Sequence, residues 1–124
     1  MGDRIKSFED LDAWRSAREL VALAYRYFRR DAASRDFGLR DQVQRAAVSS
    51  MTNITEGFER VHLAEKSQHY NVARASCGEV RSLSYVMRDA GYLSDAEQSE
   101  FQNAAVRTGK LVTGLLRANE ARKT

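Results

Sequence analysis

The chain has 124 residues, 43% of them hydrophobic and 30% charged, and a formal net charge of +3. That length suits one domain around a single core, and the balance is too apolar for a disordered chain while providing no run that could span a bilayer. The single cysteine, Cys77, excludes an internal disulfide, and the absence of proline favours long helices over a loop-rich fold.

The first ten residues, MGDRIKSFED, show no apolar stretch behind their basic residues, so no signal peptide and a cytoplasmic location are expected. Leu11, Trp14, Ala17, Val21, Ala24 and Phe28 then recur at helical spacing and predict a first helix over residues 9–33, with Ser7 and Asp10 capping its start. SRDFGLRD interrupts the pattern. Val43, Ala46, Ala47, Ser50, Ile54 and Phe58 carry a second helix over 39–60, and ERVHLAEKS connects it to the next. Tyr70, Ala73, Cys77, Val80, Leu83, Met87 and Ala90 place a third over 63–90, which Gly91 ends as a C-terminal cap. SDAE reads as a capping box from Ser94 to Glu97, opening a fourth helix over 95–119 through Phe101, Ala104, Ala105, Thr108, Leu111, Val112 and Leu115. The tail NEARKT is expected to fray. No stretch alternates like a strand, and no repeat or linker divides the chain, so residues 1–124 form one all-α domain, an antiparallel up-down-up-down four-helix bundle.

The second helix carries an unusual run of hydroxyls, QRAAVSSMTNITEGFER. At about 100° per residue, Val43, Ala47, Ser50 and Ile54 share one direction, while Arg45, Ser49, Asn53, Glu56 and Arg60 cluster roughly 120° away. The first face is a core stripe of small residues that lets a neighbouring helix come close. The second suits solvent or a polar contact, with Asn53 and Glu56 bonded to Arg45, Arg60, or Ser76 and Glu79 of the third helix in a structural polar network. Glu56 is the only candidate base on this face, and it lacks the second carboxylate or histidine that acid-base chemistry generally needs.

Other chemistry-bearing residues are expected to be structural or solvated. Glu59 and His62 have the Glu-x-x-His spacing of di-iron bundles, but those sites need two copies and further carboxylates. His69 pairs with Glu65 on an exposed helix surface. Neither histidine follows an arginine at the five-to-seven-residue spacing of helical ribonucleases. Cys77 sits on the apolar stripe as a small core residue. Gly78, inside the third helix, costs about 1 kcal/mol relative to alanine, which a close backbone approach would explain. No catalytic residue, metal site or cofactor is expected. The basic residues are more ordered: Arg15, Arg18, Arg26 and Arg29 line one face of the first helix, and Arg107, Lys110 and Arg117 line the outer face of the fourth.

FEDLDAW, GLRDQVQRAAVSSMTNITEGFER and YNVARASCGEV together resemble the 23S rRNA intervening-sequence family of four-helix-bundle proteins across nearly the whole chain. The match includes the Asn-Ile-x-Glu-Gly core and Ala73, Ser76 and Glu79 of the third helix. Ser50 and Met51 stand where the family often has Ile-Pro, so no proline is present to kink the second helix there. The resemblance implies a homopentamer without established enzymatic activity. Relatives include the accessory protein of diversity-generating retroelements, a basic pentamer that associates with reverse transcriptase and nucleic acid. A ring of five would multiply the net charge to about +15. The expected function is a non-enzymatic scaffold that binds structured RNA or DNA phosphates, or a nucleic-acid enzyme, through basic faces, and no membrane. The alternatives are a purely protein–protein adaptor and, with the weakest support, a cryptic nuclease or metal enzyme. No aromatic platform for stacking single strands is evident in the sequence.

Overall fold

A computed structural model describes residues 4–122. Its helices are α1 (Asp12–Tyr27), α2 (Asp31–Ser34), α3 (Phe37–Glu59), α4 (Leu63–Asp89) and α5 (Asp95–Ala121), preceded by a 3-10 turn at Phe8–Asp10. The four long helices make the antiparallel bundle that the periodicity predicts. α1 packs on α3 and α5, and α4 packs on the same two, so α1 lies diagonal to α4 and α3 diagonal to α5. Four grooves therefore run along the bundle, one between each pair of neighbours.

The first predicted helix is shorter than its pattern at both ends. Asp10 accepts from the backbone N–H groups of Lys6 (2.9 Å) and Ser7 (3.1 Å), which closes the 3-10 turn. Leu11 is extended, and α1 starts after it. At the other end Arg30 is extended (φ −77°, ψ 147°). Its guanidinium reaches across to Tyr92 O (3.2 Å) and Glu97 Oε1 (2.9 Å), which pins the break while Phe28 and Ala33 fold into the core. Asp36 caps α3 by accepting from Leu39 N (3.3 Å), so that helix starts earlier than its apolar stripe suggests. Gly91, at φ 85°, ends α4 as expected, with Tyr92 N donating to Met87 O (2.9 Å). The Ser94–Glu97 capping box forms in both directions, at 3.1 and 2.9 Å. The tail is more ordered than expected: α5 includes Asn119, which is buried and donates to Leu63 O (2.9 Å) and Ser67 Oγ (2.6 Å). Lys123 and Thr124 lie outside the described residues.

The core divides in two along the axis. One cluster gathers Leu20, Tyr27, Val43, Val80, Met87 and Phe101, with Tyr27 and Phe101 edge-to-face at 5.3 Å. The other gathers Leu11, Ala17, Ile54, Tyr70, Val112 and Leu116. Between them each long helix contributes one small, buried residue: Ser16, Ser50, Cys77 and Thr108. The hydroxyls of this waist are satisfied inside the bundle. Ser16 and Thr108 share a 2.7 Å bond, Thr108 donates to Ala104 O (2.9 Å) and Ser50 to Ala47 O (2.7 Å). Low side-chain volume at this level lets four backbones approach without burying an unpaired polar group.

Candidate nucleic-acid interface

The polar run of α3 faces α4. Ser49 and Ser76 are bonded at 2.8 Å, and Asn53 Nδ2 donates to Ser49 O (3.0 Å) and Ser49 Oγ (3.2 Å). Asn53 Oδ1 lies 3.0 Å from His69 Nδ1, so His69 is half-buried beside Asn53 instead of making the expected exposed pair with Glu65. This network links the two helices with neutral groups. The remaining expected members stand apart from it. Glu56 and Arg60 form an exposed ion pair at 3.3 Å, and Arg45 and Glu79 are exposed on outer surfaces. Of the run, Ser49 and Asn53 join α3 to α4, whereas Ser50, Thr52 and Thr55 are bonded back to carbonyls of their own helix.

Candidate reactive groups are placed unfavourably for chemistry. Glu56, the possible base, is solvated and held by Arg60. His62 precedes α4 on an exposed turn, as does Glu59 at the end of α3, and among the described residues no three His, Cys, Asp or Glu side chains converge. Burial pushes the Cys77 thiol up to about 11, away from the thiolate that a nucleophile needs. Burial, with Glu100 adding to it, raises the Tyr27 phenol as well. Lys66 is lowered by burial, but its ammonium is occupied: it donates to Gly57 O (3.2 Å) and Phe58 O (2.7 Å), carbonyls at the end of α3.

The predicted basic stripes separate into compensated and uncompensated groups. On α1, Arg15 donates to Glu9 O (2.9 Å) and stands 4.0 Å from Asp10, and Arg26 pairs with Glu100 at 3.3 Å. Arg18 lies over the Trp14 ring at 5.8 Å, and Arg29 has no carboxylate within pairing distance among the described residues. Arg18, Arg26 and Arg29 surround a groove between α1 and α3 that also contains Tyr25, a residue 44% exposed. On α5, Arg107 turns toward α1, 3.6 Å from Glu19 and donating to Ser16 Oγ at 3.3 Å. Lys110 instead lines the groove between α4 and α5, and Arg117 is exposed seven residues further along.

Arg74 and Arg81 complete the opposite wall of the α4–α5 groove. Sequence reading passed over both, although the spacing Arg74, Gly78, Arg81, Tyr85, Arg88 is itself a helical stripe that could have revealed them. Tyr85, 42% exposed, and Tyr25 supply flat surfaces beside cations that charge counting alone had not revealed. The α1–α3 and α4–α5 grooves, on opposite sides of the bundle, contain no acidic residue in their linings. The α1–α5 groove between them is balanced by Glu19 and Glu100 against Arg26 and Arg107.

The chain is similar to a crystallised protein of unknown function from the S23 ribosomal protein family of Bacteroides thetaiotaomicron VPI-5482. The two are 15% identical, superpose with a TM-score of 0.78, and match over 84% of this chain and 97% of that one. This likeness supports the bundle fold alone. Comparison with curated proteins gives no match. The family model described as 23S rRNA-intervening sequence protein matches residues 9–114, which contain the first three helical stripes, the fourth as far as Val112 and the Asn-Ile-x-Glu-Gly core, and the chain belongs to that family.

Proposed function

We propose that the protein is a non-enzymatic, cytoplasmic scaffold that assembles as a homopentamer and binds the phosphates of structured RNA or DNA. The observation that carries this reading is the pair of cationic grooves on opposite sides of the bundle, neither lined by an acidic residue. Arg29, Arg74, Arg81 and Lys110, which have no ion-pair partner among the described residues, raise local anion concentration and release counterions when a polyphosphate binds. The family resemblance supports the ring, in which five copies would repeat both grooves around one axis.

Titration of labelled RNA and DNA duplexes with the protein at increasing salt tests the reading. Affinity that falls steeply with salt and is indifferent to sequence supports it. The adaptor reading draws on Val72 and Val86, 44% and 46% exposed on one side of α4, which a protein surface could cover. It predicts binding to a protein partner with no salt-dependent affinity for nucleic acid. For the enzymatic alternative, Glu56→Gln is the decisive variant: any activity of the wild type should vanish with fold and assembly intact, and an unaffected variant removes its only candidate base.

A further inference from the structure

The geometry points to the groove between α4 and α5 as the principal docking site for a nucleic-acid strand, with Arg74, Arg81 and Lys110 holding its phosphodiesters, an inference that rests on the nucleic-acid reading above. The groove encloses about 460 Å³. Its charged lining residues are Arg74, Arg81 and Lys110, and none stands within ion-pair distance of a carboxylate among the described residues. By contrast, Arg15, Arg26, Arg30, Arg40, Arg60, Arg88 and Arg107 all have acidic partners.

Gly78 and Gly109 form part of the groove lining. Glycine weakens a helix interior, so its presence calls for a compensating close approach. Inside the bundle there is none at Gly78: a Cβ built there would meet nothing within 4 Å. At Gly109 it would come only into ordinary contact with Cys77 Cβ, at 3.7 Å. The two bare positions deepen a channel that the bundle itself leaves open. Asn71 and Thr113 add polar groups to its lining.

The spacing of the cations favours a repeating anion over a compact one. Arg74 and Arg81 are seven residues apart on α4, a rise of about 10 Å, comparable to roughly three base-pair rises along a duplex axis. Lys110 sits on the facing wall, beside Gly109 and therefore between them in height. Consecutive phosphodiesters engage cations so spread without drawing the side chains together, which a single compact anion would require. Tyr85 and Arg88 continue the line along α4, with the guanidinium 5.3 Å from the ring centroid.

The test compares full-length variants by fluorescence anisotropy on labelled RNA duplex, DNA duplex and single-stranded RNA across a salt series, with circular dichroism and assembly mass as controls. Combined Arg74→Gln, Arg81→Gln and Lys110→Gln substitutions should lower affinity at least tenfold and reduce the salt slope by roughly two to three units. Combined Arg18→Gln and Arg29→Gln substitutions on the opposite side should cause a smaller loss. Gly78→Gln fills the groove without changing net charge and should weaken binding several-fold with the melting temperature unchanged or raised. Should the triple variant bind like wild type while the α1 variant does not, this site is refuted and the nucleic-acid reading survives. Loss in the triple variant with full binding by Gly78→Gln would reduce the effect to bulk charge and also overturn the groove. A wild type with no salt-dependent affinity for any of the three probes sinks both, and capture of poly-glutamate in their place would move the site to an acidic protein partner.

Discussion

Asn53 and Glu56 lie three residues apart, and the structure assigns them opposite roles. Asn53 is bonded on both sides of its amide, to Ser49 and to His69, whereas Glu56 pairs only with Arg60 in solvent. Asn53→Ala should therefore cost on the order of 1–3 kcal/mol, while Glu56→Ala should stay within about 0.5 kcal/mol. Urea denaturation of the two variants checks this, and equal losses would contradict the division. The glycines also divide. Gly78→Ala should stabilise the protein by about 1 kcal/mol, because the added methyl meets nothing and the helix gains. Gly57→Ala should destabilise by roughly 1–3 kcal/mol, because its Cβ would run into the Tyr70 ring, which is buried and has little room to retreat. Thermal melts that rank these two variants in the reverse order would contradict the packing described for them.

At the scale of helices, the joint between α1 and α5 depends on Arg30 and Glu97. The Arg30 guanidinium, together with the Ser94 backbone N–H, holds the Glu97 carboxyl down at about 2. An unfolded glutamate titrates near about 4.3, so the folded chain binds this proton more weakly. The stability from this group is fully present above that unfolded value and is lost as the pH falls toward 2. Melting temperature should decline through that window, and Glu97→Gln should flatten part of the decline; an identical acid profile for both proteins would remove Glu97 from the joint. The same elements show why much of the fold was legible and some was not. Gly91 and the Ser94–Glu97 box are local signals whose chemistry acts within a few residues, so sequence locates them. The end of α1 at Tyr27 is set instead by contacts of Arg30 with Tyr92 and Glu97. Those partners are more than sixty residues away in the chain, and helical periodicity contains no trace of them. His69 escaped for the same reason: its partner Asn53 lies on another helix.

Across the whole molecule, charge is organised by face more than by amount. A sequence stripe of Arg107, Lys110 and Arg117 becomes two environments once α5 has neighbours on both sides, Arg107 beside Glu19 and Lys110 in the α4–α5 groove. Like-charged grooves on opposite sides of a bundle repel their own copies, so a closed ring should use the two remaining sides for its head-to-tail contacts. One is the α3–α4 side, with its neutral polar network and the exposed Val72 and Val86; the other is the α1–α5 side, with its balanced ion pairs. Val72→Glu combined with Val86→Glu should then break the assembly while leaving the helical spectrum intact. The most direct test of the ring is the light-scattering mass of the wild type after size exclusion, at low and high salt. The account predicts a salt-resistant species of about 70 kDa, five chains of 14.0 kDa, that the double valine variant reduces to single chains. A wild-type mass of 14.0 kDa at both salts would contradict it.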